Sequence, residues 1–242
     1  MSTKNSETGH AKNIANMNLL LTNIVAIGAD YNPANPQLDI TELQNLYALA
    51  SKAQKDVNEA TGPYKTAVAE RENTFEPLGK LITKLRRAYK ATEGVQPNNV
   101  ENFMTLARKI RGNKKSTGQN TKDPAALQNE HSVSQTSYDQ KASHFDQLIS
   151  ILQHTNNYNP NEEEYKIATL KTLHAKMLAK TAAVAEFYVP LNNLRSTRNT
   201  IMYQSPNNLV DTVHKAKDYV FTILDIKSAQ YKNISKIKFT KI

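Results

Sequence analysis

Cysteine and tryptophan are absent from the 242 residues, and glycine (7) and proline (9) are scarce. Without cysteine there are no disulfides, no thiolate metal ligands and no cysteine nucleophile. So few turn residues exclude an all-β chain, which needs a turn about every 8 to 12 positions. No apolar run approaches the roughly 18 residues of a membrane-crossing helix. Residues 1–20 show no basic start, apolar stretch and small-residue cleavage site of a secretory signal. The expectation is a soluble cytoplasmic protein with no transmembrane segment. Also missing are a phosphate loop, a nucleophile elbow, a dinucleotide fingerprint and a paired-histidine zinc helix, each of which supplies groups that a reaction needs.

What is present is apolar material for a core, 39% of the residues, and an excess of positive charge, 31 Lys and Arg against 22 Asp and Glu. A net charge of +9 makes polyanions the natural non-specific partners. The excess is most one-sided from His214 onward, where Lys215, Lys217, Lys227, Lys232, Lys236, Lys238 and Lys241 face only Asp218 and Asp225. A second basic row, Lys80, Lys84, Arg86, Arg87 and Lys90, borders the apolar stripe of Leu78, Leu81, Ile82, Leu85 and Tyr89. That arrangement suits a phosphate backbone or an acidic partner. It suits plain solubility as well, because Lys and Arg stems cover apolar edges.

The chain reads as though written twice. Tyr31-Asn32-Pro33 recurs as Tyr158-Asn159-Pro160, and at the same shift of 127 Ile40, Leu43, Leu46, Ala48, Val57, Glu59, Pro63 and Arg71 meet Ile167, Leu170, Leu173, Ala175, Val184, Glu186, Pro190 and Arg198. A slip of four residues then aligns Leu78, Ile82 and Lys84 with Leu209, Val213 and Lys215. An internal duplication is the reading.

Within each copy the apolar residues step by three and four, as in Ile40, Leu43, Tyr47, Ala50 and Val57, or Ile167, Leu170, His174 and Met177. This is the spacing of a helix with one buried face. Shorter amphipathic helices precede and follow each long one, and the aligned Pro63 and Pro190 predict a kink or break. The expected fold is all-α: two homologous antiparallel helical-bundle modules at 13–112 and 141–242, a flexible polar linker at 113–140 and a disordered segment at 1–12. Ile234–Phe239 could add a short strand. Leu194, Val220 and Phe221, in excess of the first copy, predict that the two modules dock.

The opening Glu7-Thr8-Gly9-His10-Ala11-Lys12-Asn13, the repeated Tyr-Asn-Pro and the closing Tyr231-Lys232 through Ile237-Lys238-Phe239-Thr240 resemble a family of duplicated helical proteins of Bacteroidetes to which no activity is assigned. The resemblance covers nearly the whole chain and implies a bacterial cytoplasmic setting.

Chemistry has few footholds. His144, His154, His174 and His214 correspond to Met17, Ile27, Tyr47 and Thr83 in the first copy, so no metal site is duplicated and no cofactor is implied. The repeated polar residues Glu59 with Arg71 and Glu186 with Arg198 read either as an anion pocket in each module or as register-setting groups inside a bundle. Tyr31 and Tyr158 suit the plugging of a bundle end. The expectation is a non-catalytic interaction or structural protein, its partner another protein or a second copy of itself. The alternative is nucleic-acid binding by the basic helices, in a nucleoid- or RNA-associated role. A helical pore former would need a long apolar hairpin, and none is visible.

Overall fold

Gly9 caps the first helix. The computed structural model describes residues 9–111 and 126–241, and among the described residues the chain is helical, with no strand. The α-helices are α1 (His10–Ile27), α2 (Ile40–Phe75), α3 (Leu78–Ala91), α4 (Pro97–Arg111), α5 (Ala126–Gln153), α6 (Ile167–Asn199), α7 (Leu209–Ile223) and α8 (Ala229–Ser235). The apolar residues spaced by three and four are the buried ones: Leu43 and Ala50 on α2, Leu170 and Met177 on α6, and Leu78, Ile82, Leu85 and Tyr89 on α3. The all-helical fold expected from that spacing is the one observed.

Similar local structure leads into α2 and α6. The 3-10 turns Pro36–Leu38 and Glu163–Tyr165 precede α2 and α6, and both sit at the shift of 127 seen in the sequence. After α1 the chain turns through Gly28 (φ 71), and after α5 through Asn157 (φ 69). Both are residue types that tolerate left-handed backbone. The four-residue slip falls on Ser205–Asn208, which follows a π-helical turn at Thr200–Gln204. Asn208 there accepts a hydrogen bond from the Asp211 N–H and caps α7, whereas α3 begins at Pro77 without a side-chain cap.

The prolines do not break the helices. α2 runs 36 residues through Pro63 and α6 runs 33 through Pro190. Proline deprives the carbonyl four residues earlier of its donor, and here those residues are Glu59 and Glu186, both exposed, so water can satisfy the freed oxygens. An unbroken helix of 36 residues is about 54 Å long, twice the about 27 Å of α1. A short-helix bundle cannot cover that length, and the chain divides accordingly. Met1–Pro63 with Val189–Ile242 form one compact unit, and Tyr64–Tyr188 form the other. Each unit therefore combines part of the segment 13–112 with part of 141–242, with its boundary beside Pro63 and Pro190. The units are not the expected modules 13–112 and 141–242.

The first unit's core joins Met17, Leu20 and Ile24 of α1 and Leu43 of α2 to Leu209, Val213 and Val220 of α7 and Ile234 of α8. The second joins Phe75, Ile82 and Leu85 to Phe103 of α4, Phe145 and Leu148 of α5 and Met177 of α6. In it Tyr89 stacks on Phe103 with ring centroids 5.0 Å apart.

Four expectations change. The segment 113–140 is helical from Ala126 onward, and the rest of it lies outside the described residues. Its Tyr138 packs edge-on against Phe75 at 4.8 Å, which gives this polar stretch an anchor. Of the segment 1–12, residues 1–8 lie outside the described residues, and α1 begins at His10, whose ring bonds the Tyr203 hydroxyl at 2.8 Å. The segment Ile234–Phe239 forms no strand: it ends α8 and then lies along α1, held by side chains rather than by a second strand. Val220, expected as surplus apolar surface, is buried in the first unit's core, and Phe221, half-buried, packs on Tyr231 at 4.5 Å.

A candidate anion-binding groove

The first unit carries a groove of about 680 Å³ between α1 and the C-terminal segment. Its α1 wall presents Lys12, Asn16, Leu19 and Asn23, at intervals of four, three and four residues. Such spacing places all four on one straight face. Opposite stand Asn233, Lys236, Ile237 and Lys238. Among the described residues three lysines line the groove and no acidic residue does.

One end is closed by the protein's own backbone. Asn13, 2% exposed, donates from Nδ2 to the Thr240 carbonyl at 2.7 Å and accepts the Thr240 N–H at Oδ1 at 3.1 Å, as a strand neighbour would. Asn16 donates to the Lys238 carbonyl at 2.7 Å. Lys217 donates to the Ile237 carbonyl at 2.6 Å. Burial holds the Lys217 ammonium below the ordinary lysine range, so this cation of the C-terminal row is committed to fastening the segment. Lys241 pairs with Asp211 at 2.9 Å. Lys215, Lys232, Lys236 and Lys238 are exposed. The groove thus gathers two lysines expected from the C-terminal row with Lys12 and four asparagines that the sequence reading passed over. Asparagine is a poor helix former, and its recurrence at 13, 16 and 23 within one helix was the available signal.

The row on α3 lies in the second unit. Lys80, Lys84, Arg87 and Lys90 are exposed, Arg86 is half-buried, and Lys84 reaches Glu164 at 3.5 Å. Arg111, at the end of α4, donates to Thr83 at 2.8 Å and so extends this basic face.

The repeated polar residues do not meet. Glu59 and Arg71 lie twelve positions apart on α2, about 18 Å along the axis, as do Glu186 and Arg198 on α6. Both glutamates are exposed and both arginines buried. Arg71 lies over the Tyr138 ring at 4.1 Å, with Nε and Nη1 lacking hydrogen-bond partners. Arg198 donates from Nε and Nη2 to Asn199 Oδ1 at 3.2 and 2.9 Å, and from Nη1 to Gln54 at 3.5 Å. Neither arginine finds the carboxylate that its position led one to expect.

Among the described residues no group of His, Asp and Glu could hold a metal ion, and no helix is long and apolar enough to cross a membrane. The chain matches no family model, no curated protein and no solved structure.

Proposed function

We propose that this chain is a non-catalytic binding protein of the bacterial cytoplasm, built on a duplicated helical sequence, whose basic surfaces hold an acidic protein partner. One observation carries the reading: among the described residues, the groove along α1 is lined by three lysines and no carboxylate. Surfaces of one sign raise the local concentration of an oppositely charged partner. Catalytic sites bring unlike titratable groups together, and among the described residues the titratable groups lining the groove are lysines. The test is equilibrium binding of fluorescent polyglutamate across a salt series. Affinity should fall steeply as salt rises, and the absence of binding at about 50 mM salt ends the proposal.

A second reading is favoured by the α3 row, which Arg111 extends: contact of the second unit with a nucleic-acid backbone. A labelled oligonucleotide should then bind with a steep salt slope that the combined change of Lys80, Lys84 and Arg87 to Glu flattens.

A further inference from the structure

We infer that the groove between α1 and the C-terminal segment holds an extended acidic peptide, gripped through its backbone by asparagine side chains and through its carboxylates by lysines. The inference rests on the preceding reading and names the form of the partner.

The protein already performs this recognition on itself. Asn13 both donates to and accepts from the backbone of Thr240, and Asn16 donates to the carbonyl of Lys238. Asn13 and Asn16 thus hold a non-helical segment by its backbone. Farther along the same face Asn23 lines the open groove, and Asn233 lines it from α8. A peptide laid beside that segment would meet the Asn233 amide and that of Asn23, whose Nδ2 donates to the Leu19 carbonyl at 2.7 Å and keeps a second hydrogen and its Oδ1 for a backbone. From Lys12 to Asn23 the α1 wall is about 16 Å long, room for about five residues of extended chain. Lys236 and Lys238 supply the positive charge, and Leu19, 51% exposed, supplies an apolar seat for a side chain beside them. Nucleic acid suits this groove less well. No aromatic residue lines it to stack a base, and no arginine offers a forked contact to phosphate.

The test uses the full chain and a fluorescein-labelled peptide of about eight residues alternating Glu or Asp with Leu. The peptide should bind in a salt-dependent manner. Lys236→Glu with Lys238→Glu should weaken it about tenfold, and Asn23→Ala with Asn233→Ala about fivefold. Lys80→Glu with Lys84→Glu makes the same change in net charge in the second unit and should leave affinity within about twofold. All four lysines are exposed, and unchanged thermal melts will confirm that each variant folds. A peptide of the same sequence with alternate backbone nitrogens methylated keeps its charge, loses donors, and should bind about tenfold less well. If the methylated peptide binds equally, if the α3 variant loses as much, or if an oligothymidylate of equal charge displaces the peptide one for one, the surface holds any polyanion. The groove inference is then overturned while the broader proposal stands. If polyglutamate and peptide both fail to bind, both fall.

Discussion

The Tyr31 hydroxyl donates to the Leu38 carbonyl at 2.8 Å, and Tyr158 makes the same bond to Tyr165 at 2.9 Å. Each tyrosine closes the turn that launches a long helix. Removing the hydroxyl leaves a carbonyl short of its donor, so Tyr31→Phe and Tyr158→Phe should each cost about 1 to 2 kcal/mol in urea unfolding. Tyr31, 6% exposed against a half-buried Tyr158, should cost more.

Burial, with smaller contributions from Tyr219 and Asp39, pushes the Tyr31 phenol up to about 12. Between the ordinary tyrosine value near 10 and that figure the folded chain holds a proton that the unfolded chain has lost. The stabilisation is complete below about pH 10 and disappears as pH rises through 12. Melts on the alkaline side should show that decline in the wild type and a shallower one in Tyr31→Phe. Equal slopes would mean that the phenol ionises freely in the fold.

His10 acts on the acid side. Burial, and then the nearby Arg198 charge, lower its pKa below the usual 6.5, while its Nδ1 contacts the Tyr203 hydroxyl. The unfolded chain takes up the proton first, so stability falls as pH drops through 6.5 toward the folded value. His10→Gln removes that dependence, which melts between about pH 8 and pH 5 would read out.

How much of this was legible depends on what a sequence pattern encodes. The three-and-four spacing from Ile40 to Val57 identifies a buried face because helical geometry fixes that face whatever covers it. It is silent on which copy does the covering. Leu43 shares a core with Leu209 and Val213, and similar spacing elsewhere in the chain offers other partners equally well. Whether Pro63 would break α2 or leave it continuous was not legible, because proline's cost depends on solvent at Glu59, a tertiary property. Arg71 and Arg198 were recognisable as seam residues. Their partners were not, since Tyr138 sits in a stretch too polar to suggest packing and Asn199 is simply the next residue. The roles of Asn13 and Asn16 escaped because their partner is backbone, which carries no sequence signal.

The two arginines should respond in opposite ways to loss of charge. Arg71 is buried with two nitrogens unpartnered, and replacing an imperfectly satisfied buried charge with an apolar side chain of similar length is often stabilising. The Tyr138 stacking offsets part of this gain. Arg71→Met should raise stability by about 1 kcal/mol. Arg198→Met should lower it by about 1 kcal/mol, because Arg198 makes three hydrogen bonds to Asn199 and Gln54. Urea unfolding of both variants decides the matter, and a shift of the same sign in both would refute the contrast.

The make-up of the units sets the last prediction. Were the sequence copies independent bundles, cutting the chain between Asn113 and Pro124 would free two folded halves. Instead each compact unit draws on both sides of that cut. The first needs Met17, Leu20 and Leu43 from one fragment and Leu209, Val213 and Ile234 from the other. The second needs Phe75, Ile82 and Leu85 from one and Phe145, Leu148 and Met177 from the other. Separation would open both cores to water at roughly 25 cal/mol per Å² of apolar surface, a cost that falls on every buried residue named above. A protease site placed in that interval should therefore yield a nicked protein that elutes from a sizing column as one species at the intact volume. Either fragment expressed alone should lack a cooperative melt, and mixing the two should restore it. Two separate peaks, each melting cooperatively, would show that each sequence copy folds by itself and that the exchange of halves between units is wrong.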